Sequence, residues 1–82
     1  MPTILKHNGW RVVIYPNDHR PPHVHVVGIN EHARFELLCD LGTVKLMSNI
    51  GLTYAQVQVL VAYLSKHVQK LCIEWGRIHD HG

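Results

Sequence analysis

No stretch of the sequence approaches the roughly 18 consecutive apolar residues of a membrane span, and the opening Met1-Pro2-Thr3-Ile4-Leu5-Lys6 lacks the apolar run of a signal peptide. A soluble cytoplasmic protein with no membrane contact is therefore the expectation. Cysteine is scarce: Cys39 and Cys72 stand far apart and neither belongs to a C-x-x-C pair, the spacing that signals zinc or dithiol chemistry. Both are expected as reduced thiols, at least one of them buried. Charge is scarce too. Charged residues make up 17% of the 82-residue chain against 46% hydrophobic, which excludes the disordered class of low hydrophobicity and high charge. The net charge of +2 and a pI near 8.7 tolerate an anionic partner such as RNA without demanding one. The length leaves no room for a second domain. It allows one unit over residues 1–82, ordered from about 3 to 75, that buries only about 60% of its unfolded surface.

What the chain does have is concentrated in Asn17-Asp18-His19-Arg20-Pro21-Pro22-His23-Val24-His25-Val26, which packs three of the eight histidines, an acid, a base and a double proline into ten residues. Consecutive prolines hold the backbone near polyproline II geometry and restrict Arg20 to extended conformations. In the strand that follows, alternation puts His23 and His25 on one face and Val24 and Val26 on the other. A lone H-x-H is a weak signal, since exposed strand positions tolerate histidine. The rigid loop carrying Asp18, His19 and Arg20 to the edge of two parallel imidazoles is what points to a functional site.

The remaining elements follow from period and turn chemistry. Thr3–Lys6 and Trp10–Tyr15 flank an Asn8-Gly9 hairpin turn, and the β-branched, aromatic run of the second reads as a central strand. His23–Val27 and the alternating Ala33–Leu38 form a second hairpin. A four-residue loop from Ile29 to His32 pairs Gly28 with Ala33 and so sets His25 across from Glu36, with Arg34 on the same polar face. Thr43–Met47 reads as a short strand or irregular edge and Ser48–Gly51 as a loop. Thr53 and Gln56 form a capping box, after which Val57, Leu60, Val61, Leu64, Val68, Leu71 and Trp75 recur at helical spacing, predicting one helix of about 22 residues from Tyr54 to Trp75. His67 flanks this stripe as a boundary residue or a member of the site. Gly76 is expected to end the helix and 77–82 to form a polar tail. The fold class is α+β: a three- to four-stranded antiparallel sheet with one long C-terminal helix across one face.

These residues resemble the small bacterial proteins grouped as domain of unknown function 4160. The resemblance is carried by Met1-Pro2-Thr3-Ile4, Asp18-His19-Arg20-Pro21-Pro22-His23-Val24-His25-Val26, Ala33-Arg34-Phe35, Val44-Lys45-Leu46, Asn49-Ile50-Gly51-Leu52 and the helix residues Leu60, Val61, His67, Leu71 and Trp75. It implies a component of a two-gene cassette of the kind suspected of being toxin–antitoxin modules, and it gives weight to His19, His23, His25 and His67. Relatives carry more glutamate where this helix has Gln69 and Lys70. The run also resembles the H-x-H-x-H of histidine-triad nucleotide hydrolases, but Val27 holds the third place and leaves that motif incomplete.

Two functions are compatible with the pattern. A toxin-like endoribonuclease working without cofactor or metal would use His23 and His25 as acid and base, with Glu36 orienting His25 and Arg20 or Arg34 on the phosphate. A non-catalytic module would use the same cluster to bind a protein partner or a divalent metal such as zinc, with His19, His23 and His25 as nitrogen ligands, Asp18 nearby and His67 at the margin. Same-face neighbours on a strand lie about 6–7 Å apart, which ranks the metal second. One helix leaves a sheet face uncovered, so a homodimer or a small cognate partner protein is expected.

Overall fold

The computed structural model describes residues 3–79. Five strands, β1 (Thr3–His7), β2 (Trp10–Val13), β3 (His23–Val27), β4 (His32–Leu38) and β5 (Thr43–Ile50), form one antiparallel sheet in the order β1-β2-β3-β4-β5. Two helices follow, α1 (Tyr54–Lys66) and α2 (Val68–His79). The α+β class and antiparallel sheet are as the sequence predicts. The strand count is one higher than the upper expectation, and the single helix is two. Among the described residues no helix is long and apolar enough to cross a membrane.

The first hairpin turns where expected: Asn8 and Gly9 both have positive φ (51° and 85°), the backbone of a type I′ turn, and His7 pairs with Trp10. Cross-strand pairing divides the sheet into two faces. Val12, Val26 and Ala33 lie in one row and Val24 and Phe35 in the next. This face packs under the helices in a core that includes Phe35, Leu60, Leu64, Leu71 and Trp75. The opposite face carries Val13, His25, Arg34 and Ser48 in one row, and His23, Glu36 and Lys45 in the next.

Three departures have clear causes. β5 continues past Met47 through residues read as a loop, because a bulge interrupts the alternation: Arg34 pairs with Ser48 but Phe35 pairs with Leu46, leaving Met47 as the extra residue. The helix breaks at His67 (φ −109°, ψ 12°), whose backbone N–H reaches the carbonyls of Leu64 and Ser65 and caps α1. The buried stripe Val57, Leu60, Leu64, Val68, Leu71, Trp75 keeps its three- and four-residue steps through the break, so periodicity alone cannot detect it. α2 then runs through Gly76 to His79 rather than stopping. The His79 ring stacks on Trp75 at 3.8 Å, and its two nitrogens lie 2.9 Å and 3.2 Å from the carbonyls of Trp75 and Tyr15. Arg77 to His79 are thus helical, not a polar tail; residues 80–82 of that tail lie outside the described residues.

The expectation of reduced thiols is also overturned. Cys39, just past β4, is joined to Cys72 of α2 in a disulfide with Cα atoms 6.2 Å apart. Packing α2 against β4 brings together two residues 33 apart in sequence, a proximity that spacing could not reveal.

Candidate functional site

The β2–β3 connection folds back over the open face of the sheet. Tyr15 sets its ring edge-on to His25 at 4.6 Å, and Asp18 carries its carboxylate between the two strand histidines. Asp18 Oδ2 lies 3.1 Å from His23 Nε2 and 2.9 Å from His25 Nε2. The loop buries both imidazoles: His23 is 7% and His25 9% exposed. Residues 6–7 Å apart along a strand do converge here, because the imidazoles turn toward a shared carboxylate from the loop.

The outer nitrogens are held as well. His23 Nδ1 donates to the Pro21 carbonyl at 2.8 Å, which leaves Nε2 facing Asp18. A neutral ring so arranged would present a lone pair to a carboxylate. The close approach of Nε2 to the Asp18 carboxylate therefore calls for a proton or a cation between them. His25 can meet its partners while neutral: Nε2–H donates to Asp18, and Nδ1, 3.0 Å from His32 Nε2, accepts from it. Burial pushes the His25 pKa below its ordinary value near 6.5, and the neighbouring His23 and His32 add to this; the hydrogen bond and charge of Asp18 oppose it without reversing it.

The β3–β4 register differs from the sequence reading by two residues. Gly28 N–H bonds the Glu31 carbonyl in a tighter turn, itself tied by Trp10 Nε1–H to the Glu31 carboxylate at 3.0 Å. Val27 then pairs with His32, His25 with Arg34, and His23 with Glu36. Glu36 consequently stands across from His23, not His25, and the carboxylate that orients His25 is Asp18. His32, read as a loop residue, enters β4 and reaches His25. Neither His32 nor Tyr15 was singled out from the sequence; for His32 the missing information was the turn, and Tyr15 carried no signal beyond its place before the loop.

Among the described residues, the donor atoms of Asp18, His23 and His25 converge, all within 4.8 Å of one another. The nitrogen set His19, His23 and His25 is not the one assembled, since Asp18 takes the place of His19. His19 is exposed and lines an adjoining cleft of about 270 Å³ with Asp18, Arg20, Pro21, His23, Arg34 and Met47. The bulge in β5 brings Met47 to this cleft. Arg20 places its guanidinium 5.1 Å above the Trp75 ring. Arg34 Nε is buried without a hydrogen-bond partner, an arrangement that costs about 1–3 kcal/mol for an ordinary donor. His67 is elsewhere: it caps α1 and packs on Tyr63, whose other neighbour is the stacked ring of His7.

A family model described as a domain of unknown function, DUF4160, matches residues 9–76, a span that holds the whole cluster and both helices up to Gly76. No curated protein and no solved structure matches the chain.

Proposed function

The chain belongs to the DUF4160 family, and we propose that it is a small divalent-metal-binding domain, with Asp18 Oδ2, His23 Nε2 and His25 Nε2 as ligands to an ion of the zinc class. The observation that carries this is the convergence of two buried imidazoles and one carboxylate on a common point. The donor set suits such an ion: two nitrogens and one oxygen leave a further coordination position open. The outer contacts suit it too. A ligating histidine commonly donates its second N–H to a backbone carbonyl, as His23 Nδ1 does to Pro21, and that bond fixes the tautomer that leaves Nε2 for the metal. An ion between His23 Nε2 and Asp18 would also resolve their otherwise adverse approach.

Metal-free RNA cleavage by His23 and His25 has less support. Acid–base catalysis requires a proton and a lone pair presented to substrate. Here both Nε2 atoms face Asp18, and the Nδ1 atoms face Pro21 and His32.

Titration of chelator-treated, tag-free protein with Co²⁺, followed by its visible absorption, tests the proposal. One equivalent should bind and be displaced by Zn²⁺. Asp18→Ala, His23→Ala and His25→Ala should each weaken binding by more than about 100-fold, whereas His19→Ala and His67→Ala should retain it. Unchanged uptake by His25→Ala, or no uptake by the parent protein, would sink the reading. The same chelator-treated protein should leave RNA intact; cleavage that is lost in His25→Ala would restore the nuclease reading.

A further inference from the structure

We infer that the cleft beside the Asp18–His23–His25 centre binds a terminal phosphate monoester, whose oxygens take the open coordination position of the metal and the guanidinium fork of Arg34; this rests on the metal reading above. Three observations lead there. The cleft adjoins the centre directly, since Asp18 and His23 line both. Arg34 supplies a cation to its lining, and the one acid there among the described residues, Asp18, is committed to the two histidines. The next acid on this face, Glu36, stands across from His23 with Lys45 beyond it and is not part of the cleft wall. Finally, Arg34 keeps a donor without an acceptor, Nε, which is one of the two N–H groups that a guanidinium presents side-on to an oxyanion.

The charge balance selects the kind of anion. With a divalent ion bound, the ion and Arg34 together exceed the one negative charge of Asp18 by about two, more than a monoanion can neutralise. A dianionic monoester matches it better than a monoanionic diester. Size selects how much of the ligand is held. About 270 Å³ lies below the usual range for sites that enclose a whole small molecule, so the cleft would grip the phosphate and leave the rest of its carrier in solvent. Either a small phosphorylated metabolite or the 5′-phosphate of a nucleic acid end offers that chemistry.

The test uses Co²⁺-loaded protein and phenyl phosphate, with dimethyl phosphate as the diester control. Phenyl phosphate should change the Co²⁺ absorption saturably, with a Kd at least about tenfold below that of the diester. Arg34→Gln should take up Co²⁺ yet raise the phenyl phosphate Kd about tenfold or more, and Arg34→Lys, which keeps the charge but not the fork, should fall between. A 5′-phosphorylated RNA dinucleotide that binds like phenyl phosphate, while its unphosphorylated form does not, would assign the carrier to nucleic acid ends; failure of the dinucleotide alone would assign it to small metabolites. Normal Co²⁺ uptake with no response to phenyl phosphate, equal affinity for the diester, or an unaffected Arg34→Gln overturns this inference and leaves the metal site standing. Failure to take up Co²⁺ overturns the metal reading and this one with it.

Discussion

His25 couples the site to pH with a sign that follows from its burial. Its folded pKa lies below the ordinary value near 6.5, so the unfolded chain binds its proton more readily. The stability it contributes is complete above about pH 6.5 and is lost as pH falls from there through the lowered folded value. Urea midpoints of chelator-treated protein measured between pH 8 and 5 should therefore fall more steeply for the parent chain than for His25→Gln; parallel curves would show that His25 does not titrate differently on folding. His23→Ala should cost about 1–3 kcal/mol, since it leaves Asp18 and the Pro21 carbonyl each short of a partner. Much at this scale was legible in the sequence. The D-H-x-P-P-H-x-H run contains all three converging donors, because the loop and strand that deliver them are contiguous. Glu36 and His32 were misassigned because a turn two residues shorter or longer keeps every side chain on its face and changes only its partner.

The β2–β3 connection is the element that turns a strand pattern into a site. It covers His25 with Tyr15, supplies Asp18, and reaches the helices through Arg20 on Trp75 and the Tyr15 carbonyl beside His79. On the helical side, Thr53 caps α1 with its hydroxyl on the Gln56 N–H at 3.1 Å, and Gln56 answers on the Thr53 N–H at 2.9 Å. Thr53→Ala should cost about 1 kcal/mol in urea denaturation. Leu64→Ala should cost about 2–5 kcal/mol, because Leu64 is fully buried under the break at His67. A Leu64 variant no weaker than the Thr53 variant would show that the helix–sheet contact is loosely packed. Strands and caps were legible here through alternation and a two-residue signature. The bulge at Met47 and the break at His67 were not, since one leaves no glycine or proline behind and the other does not disturb the apolar stripe.

Across the whole molecule, the Cys39–Cys72 bond ties the end of β4 to α2 and closes a loop of 33 residues. The chain-entropy relation gives about 4 kcal/mol for a loop of that length. Reductant should therefore lower the urea midpoint clearly, and Cys39→Ser with Cys72→Ser should reproduce the loss; a midpoint indifferent to both would remove the bond from the account of stability. Long-range pairings of this kind are the least legible part of a sequence, because nothing near either cysteine records the other. The strand order is the opposite case, every strand lying beside its predecessor. Such a sheet can assemble in the order of its synthesis, each hairpin closing as it leaves the ribosome. Asp18, His23 and His25 would then meet soon after β3 emerges, while the apolar face opposite them waits uncovered until Tyr54–His79 has been made. At about 5–20 residues per second that interval lasts roughly 3–10 s. During it, the nascent chain should be a better chaperone substrate than the finished protein.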